Sequence, residues 1–201
     1  LNMVDDKVAL LTPTNGKKQF WRLMLQNIKQ QQYPHEKITW YILDDSTKKS
    51  NDGLHDKIDF FKEQLAPIQV VFKSRKKCQS LGKKRNLLVE MTKGEPYLLH
   101  MDDDDFYQPN WIRSCVDGLK SNQGKGLIGS VVLPTCFIHE RKDKTCVQLV
   151  KAGDHPSHVY PGTLAYTRDY YNQFGGFSDV DKNEAVEFAN HNQTLVMNPH
   201  A

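Results

Sequence analysis

Short apolar runs alternate with amphipathic stretches along the first 120 residues, and each run ends in a polar cluster. Val8-Ala9-Leu10-Leu11 leads into Thr12-Pro13-Thr14-Asn15-Gly16, a turn cluster. Ile38-Thr39-Trp40-Tyr41-Ile42-Leu43 stops at Asp44-Asp45-Ser46-Thr47, and Ile68-Gln69-Val70-Val71-Phe72 forms a third run. Tyr97-Leu98-Leu99-His100-Met101 runs into four successive aspartates, Asp102 to Asp105. Between these runs, Phe20, Trp21, Met24, Leu25 and Ile28 share one helical face, and Tyr33-Pro34 ends that helix. Leu54, Ile58, Phe61 and Leu65 mark a second helix. A third begins near Leu81-Gly82 and carries Leu87, Leu88 and Met91. Pro109 opens a fourth with Trp111, Ile112, Cys115 and Leu119 on one side. A β-α-β-α order of this kind predicts an α/β domain with a mostly parallel sheet and helices on both faces.

After Gly126 the pattern changes. Leu127 to Leu133 reads as a further strand, β segments follow through Val150, and Gly153 to Gly176 reads as binding loops on the sheet. A single domain over residues 1–201 is expected, with a nucleotide-binding half at 1–106 and an acceptor- or sugar-binding half at 107–201. Hydrophobic residues make up 38% of the 201 positions, enough for a core. A net charge of +3, from 27 basic and 24 acidic residues, argues against a nucleic-acid partner. No stretch approaches the roughly 20 apolar residues that span a bilayer, and the first residues carry no secretory signal. The opening Leu1 reads as a processed start, and further domains of a longer chain are expected as partners. Cys78, Cys115, Cys136 and Cys146 fit neither a zinc site nor a disulfide framework, which places the chain in a reducing compartment such as the cytoplasm.

In a parallel sheet, ligands bind outside the carboxyl ends of the strands. Thr12-Pro13-Thr14, Asp44-Asp45 and Asp102 to Asp105 all fall there. Four adjacent carboxylates at the end of a buried strand repel one another unless a cation offsets them. Hard cations such as Mn²⁺ or Mg²⁺ bind through one or two carboxylates plus substrate phosphates. On an extended segment Asp102 and Asp104 point to the same side and can share one ion. The alternatives are a solvated acidic turn at Asp102 to Asp105, a helix cap at Asp44 to Thr47, and a solvated helix face at Lys84 and Arg85. A diphosphate needs cationic partners, however, and Lys73, Arg75, Lys76, Lys77, Lys83, Lys84 and Arg85 cluster beside a predicted helix N-terminus.

Thr12-Pro13-Thr14, Leu43-Asp44-Asp45-Ser46-Thr47, Gly82-Lys83-Lys84-Arg85-Asn86, His100 to Asp105 and Gly175-Gly176-Phe177 follow the order of motifs in GT-A glycosyltransferases. The set resembles the inverting family 2 branch over nearly the whole chain. It looks particularly similar to the small glycosyltransferase domains of large chlorella-infecting DNA viruses, which would mean a host cytoplasm. The resemblance implies a UDP-sugar donor, a carbohydrate acceptor and a divalent metal. By the same resemblance Pro13 and Thr14 lie along the nucleotide, and Asp45 or Asp44 accepts a hydrogen bond from uracil. Arg85 and Asn86, with Lys83 nearby, hold the nucleotide. Asp102 lies near ribose and metal, beside Asp103, and Asp104 is a metal ligand. A C-terminal histidine on the metal is a feature of some GT-A enzymes, and His191 is the candidate.

An inverting transfer needs a carboxylate to take the acceptor's proton. In family 2 it comes from a Glu-Asp pair after Gly-Gly-Phe; here the pair reads Glu184-Ala185. Glu184 is the first candidate, with Glu187 and Asp181 behind it. Glu184 and Glu187 at helical spacing would share a face; a solvated helix is the alternative. The departure leaves room for a retaining mechanism. Gly162 and Thr163 are read as donor-sugar contacts, and Tyr160, Tyr166 and Trp111 as stacking or core residues. Two other functions fit parts of the pattern. A sugar nucleotidyltransferase would need spaced glycines that the Thr12 to Lys18 segment lacks. A catalytically silent sugar-binding module would explain the missing aspartate.

Overall fold

The computed structural model describes residues 5–46, 54–77, 79–121, 126–130, 132–139, 144–151, 159–190 and 195–196. It forms an α/β domain built on a mixed, mostly parallel sheet. The strands are β1 (Val8–Thr14), β2 (Ile38–Asp44), β3 (Gln69–Ser74), β4 (Tyr97–His100), β5 (Leu127–Gly129), β6 (Val132–His139), β7 (Lys144–Lys151), β8 (Ala165–Thr167) and β9 (Leu195–Val196). The helices are α1 (Trp21–Lys29), α2 (Ile58–Leu65), α3 (Leu81–Met91), α4 (Trp111–Ser121), α5 (Arg168–Phe174) and α6 (Val186–Asn190). Seven strands lie in the order β3-β2-β1-β4-β8-β5-β9, and β6 and β7 pair as a separate ribbon. β1 to β4 run parallel, whereas β8 is antiparallel to both β4 and β5.

Strand periodicity divides the core into two layers. Val8, Leu10, Trp40, Ile42 and Leu99 face the layer that receives Met24 and Ile28 of α1, Phe61 of α2 and Ile112 of α4. Ala9, Leu11, Tyr41, Leu43 and Leu98 face the other, with Leu87 and Leu88 of α3, Tyr170 of α5 and Phe188 of α6. Successive side chains of a strand point to opposite faces, so a sheet covered on both sides reads as an unbroken apolar run. Fully burying one such large side chain is worth about 1.5–3 kcal/mol.

Two boundaries differ from the sequence reading. β1 does not stop at Leu11 but continues through Thr12-Pro13-Thr14 against β2. Its pairing with β4 ends at Leu11 and His100. Pro13 therefore lies where one side of the strand is open and no ladder bond is lost. The single strand expected over Leu127 to Leu133 is divided. β5 ends at Gly129, and β6 begins the separate ribbon at Val132. At the break, the Thr163 hydroxyl accepts from Ser130 N (2.8 Å), which satisfies that backbone group without a neighbouring strand.

Candidate active site

The carboxyl ends of β1, β2 and β4 bring the three polar clusters together, as their positions in the sequence require. Thr14 Oγ1 donates to Asp103 Oδ2 at 2.6 Å. Thr12 Oγ1 donates to the Met101 carbonyl at 2.7 Å and accepts from Trp40 Nε1 at 2.8 Å. Thr12 thus locks β1 to β4 from within the core, while Pro13 and Thr14 line a cavity.

The acidic run is a turn at Asp103 and Asp104 rather than an extended strand. The turn replaces the expected alternation, yet Asp102 and Asp104 still line the same cavity as Pro13 and Thr14. Each aspartate finds its own environment. Asp102 forms a two-pronged ion pair with Arg85, 3.0 Å on each arm. Lys17 Nζ lies 2.6 Å from Asp104 Oδ2 and 3.2 Å from Asp103 Oδ1. The Asp105 carbonyl accepts from Asn27 Nδ2 at 2.7 Å. Burial pushes the Asp103 carboxyl up to about 6, with Asp104 adding to the shift and Lys17 and Thr14 opposing it. Burial alone would lower the Lys17 ammonium, but the charges of Asp103 and Asp104 hold it above its ordinary value.

Two cavities meet at this turn. The smaller, about 290 Å³, is lined by Pro13, Thr14, Lys17, Gln79, Lys84, Asp102 to Asp104 and Asp181. The larger, about 410 Å³, is lined by Arg85, Asp102, Asp105, Tyr160, Gly162 and the segment from Lys182 to Val186. Asp102 and Leu81 belong to both. Gly162 is required there: a Cβ would stand 2.8 Å from Asp102 Oδ2. Its carbonyl accepts from Tyr107 Oη at 2.7 Å, and that oxygen accepts from Asp102 N at 2.8 Å. Thr163 is wholly buried and serves only the loop.

Glu184 lines the larger cavity and is 2% exposed. Its Oε1 accepts from Arg85 Nε at 3.1 Å. It precedes α6, so it shares no helical face with Glu187. Glu187 accepts from Ser178 Oγ at 2.9 Å in an exposed setting. Asp181 accepts from Leu81 N at 3.1 Å and so caps the start of α3 beside the smaller cavity. Asn183 has φ 58°, a left-handed conformation that Asn tolerates better than most residues, and it turns the chain just before Glu184.

Several residues hold the site without lining it. Asn86 clamps Phe177, donating to its carbonyl and accepting from its N–H, both at 2.8 Å. It supports the loop rather than touching either cavity. Lys83 is exposed at the surface of α3, and the lysine at the cavity is Lys84. Lys84 Nζ is 3.0 Å from Asp45 Oδ1, and Gln79 N donates to Asp45 Oδ2 at 2.8 Å. Asp44 Oδ1 accepts from Ser46 N at 2.8 Å, a turn bond at the end of β2. His191 lies outside the described residues. Lys17, Gln79, Tyr107 and Lys182 were not singled out from the sequence as site residues, and Lys84 entered only as one member of the basic cluster. Only Lys84 carried a signal, since it stands three and four positions before Leu87 and Leu88 on the buried face of α3.

Among the described residues, no three acidic, histidine or cysteine side chains stand close enough to hold a metal alone. Asp102 and Asp104 are the more open of the acidic groups, with side chains 21% and 29% exposed against 3% for Asp103. That donor set fits a hard ion that takes its remaining ligands from phosphate and water.

Acids and cations thus gather at the strand ends of a mixed, mostly parallel α/β sheet. The family profile described as Glycosyl transferase family 2 matches residues 10–179, and the chain belongs to that family. Its fold is that of the GT-A glycosyltransferases. The mannosyltransferase PcManGT from Pyrobaculum calidifontis, in complex with GDP-Man and Mn²⁺, superposes with a TM-score of 0.72 at 17% identity, over 98% of this chain and 56% of that one. S. aureus TarS gives a TM-score of 0.63 at 12% identity, over 90% of this chain and 33% of that one. TarS residues 1–349 with UDP give 0.61 at 14% identity, over 91% and 53%. The chain thus spans about half or less of the length of these structures. Neither source is a virus, and a viral origin has no support among them. No curated protein sequence matches the chain.

Proposed function

We propose that the chain transfers a hexose or deoxyhexose from a UDP-sugar to a hydroxyl of a glycan acceptor, with inversion and with Mn²⁺ or Mg²⁺ required. The observation that carries this reading is the position of Asp102 as the common wall of two cavities. Cations Lys17 and Lys84 line one cavity, and the carboxylate of Glu184 lines the other. The diphosphate belongs in the smaller cavity, where ammonium groups suit phosphate oxygens. The sugar and acceptor belong in the larger one. The TarS structure with UDP supports a uridine donor by likeness of fold, and the GDP-Man complex makes guanosine the competitor to test.

Asp102 and Asp104 would hold the ion, which supplies Lewis-acid stabilisation of the departing diphosphate when bound. Glu184 accepts the proton of the acceptor hydroxyl as its oxygen attacks the anomeric carbon. The bond from that carbon to the β-phosphate oxygen breaks, and its electron pair leaves with UDP.

The test is calorimetry with UDP- and GDP-sugars, with and without Mn²⁺, followed by assay of nucleoside diphosphate release. Asp104→Ala should abolish metal-dependent release while the protein melts as a folded domain. Normal turnover by that variant would refute the metal assignment. Pyrophosphate chemistry would point to a nucleotidyltransferase, and tight binding with no turnover on any acceptor to a silent module.

A further inference from the structure

Arg85 is 1% exposed, lines the larger cavity and pairs with Asp102, the wall common to both cavities. Its guanidinium reaches four acceptor atoms on three residues: both oxygens of Asp102 at 3.0 Å, Oε1 of Glu184 at 3.1 Å, and Nδ1 of His100 at 3.2 Å. A guanidinium only donates, so Nδ1 of His100 accepts and the ring proton sits on Nε2, where it faces Tyr166 Oη at 2.9 Å. Burial, reinforced by the Arg85 charge, keeps that imidazole neutral. Arg85 comes from α3, Asp102 from the end of β4, and Glu184 from the turn before α6. Their sequence separations are 17 and 99 residues.

We infer that Arg85 is a positioning residue that fixes the carboxylate of Glu184 at a set distance from Asp102, so that acceptor activation and departure of the diphosphate occur in register. This rests on the transferase reading above and adds to it the part played by Arg85. A guanidinium is planar and its donors lie in a rigid fork, so Asp102 and Glu184 are held relative to each other as well as to α3. An ammonium has no such fork. Removing the fork also leaves a carboxylate that is 2% exposed without its cation, and the segment carrying Glu184 then gains by turning toward water. The wild-type geometry needs no metal ion to hold Glu184 inward.

Four proteins test this: Arg85→Lys, Tyr166→Phe, Glu184→Gln and the double variant Arg85→Lys/Glu184→Gln. Each is assayed for UDP release from a UDP-sugar with Mn²⁺, for UDP affinity by calorimetry, and for folding by thermal melting. Arg85→Lys should lower kcat by about 100-fold, the scale of a 1 Å misplacement, with KM for donor and Kd for UDP changed less than threefold. In the Glu184→Gln background the same change should cost less than threefold, because groups acting as one unit are not additive. If Arg85→Lys does not fold, Tyr166→Phe keeps the core volume and frees only the His100 anchor. It should lower kcat several-fold in the parent and not in the Glu184→Gln background.

A fall in UDP affinity that matches the fall in kcat would show that Arg85 binds the nucleotide and would overturn the inference. So would independent, multiplicative losses in the double variant, or a kcat untouched by either substitution. If Glu184→Gln turns over normally, the assignment of the base fails, and the coupling fails with it. A parent protein that releases no UDP from any UDP-sugar removes the transferase reading itself.

Discussion

Replacing Gly82 by alanine sets two known effects against each other. Gly82 lies in the first turn of α3, and alanine is favoured over glycine within a helix by about 1 kcal/mol. Propensity alone therefore makes Gly82→Ala stabilising. The tertiary structure says the opposite. A Cβ at this position would lie 1.7 Å from the Ser178 carbonyl oxygen and 3.1 Å from Glu184 Cβ. A carbon–oxygen contact needs about 3.3 Å or more, so helix and loop must separate by about 1.5 Å. α3 is anchored in the core by Leu87 and Leu88, and the loop is tied to it by Gly82 N to Val180 O at 3.0 Å. The loop therefore gives way and carries Glu184 with it. Overpacking of this kind costs about 1–3 kcal/mol, and a 1.7 Å clash with backbone lies in the upper part of that range, which leaves about 1.5 kcal/mol after the propensity gain. The variant should melt about 3–6 °C lower, taking about 2–4 °C per kcal/mol for a chain of this size. Turnover should fall by about 100-fold, while UDP affinity, set chiefly by Lys17 and Lys84, which lie outside the displaced loop, stays within threefold. Thermal melting, UDP release and calorimetry read the three quantities. A variant that melts at or above the parent temperature with turnover within twofold would refute the packing argument.

Asn86→Ala should cost about 1–3 kcal/mol, because both backbone groups of Phe177 lose their partner. Urea denaturation measures this, and UDP affinity should be unchanged; a large loss of affinity would restore the nucleotide-binding role that the family resemblance implies. Asn183→Ala should lower stability by about 1 kcal/mol because alanine lacks the short polar side chain that lets Asn tolerate a φ of 58°, and Asn183→Gly should not; equal melting temperatures would contradict this. Asp103 has a folded-state value of about 6 against 3.8 when unfolded, so the folded protein binds the extra proton between those values. In metal-free buffer the parent should therefore lose stability relative to Asp103→Asn as pH rises from about 4 to about 6. Parallel stability curves in urea across that window would rule this out.

The strands and the convergence of polar clusters were legible because burial on both faces of a parallel sheet leaves continuous apolar runs. β1, β2 and β4 carried that signal, and α1, α2 and α4 carried their apolar faces. The end of β1 was not legible, since Pro13 normally marks a turn and only the missing β4 neighbour makes it harmless. Lys84 rather than Lys83 could have been read from the spacing to Leu87 and Leu88. The burial of Glu184 could not. It depends on Arg85, 99 residues earlier, and local spacing placed Glu184 on a helix that in fact starts at Val186. Nor could the clamp of Asn86 on Phe177 be read locally, although both residues lie in motifs the sequence displays.

The acidic run shows where an electrostatic argument from sequence holds and where it needs revision. Four successive carboxylates do require positive charge, but the chain supplies much of it. Lys17 faces Asp103 and Asp104, and Arg85 faces Asp102. A divalent ion is therefore not needed to fold the strand end. Exposure would set its place instead. Asp103 is sealed behind Thr14 and Lys17, whereas Asp102 and Asp104 keep a face open to the smaller cavity. Binding of an ion with a diphosphate would relieve Lys17 of its partner Asp104 and leave that ammonium beside new phosphate oxygens. The charge that stabilises the ligand-free turn and the charge that would hold the ligand can thus be the same lysine, and an ion bound there would act in ligand binding and catalysis rather than in the fold.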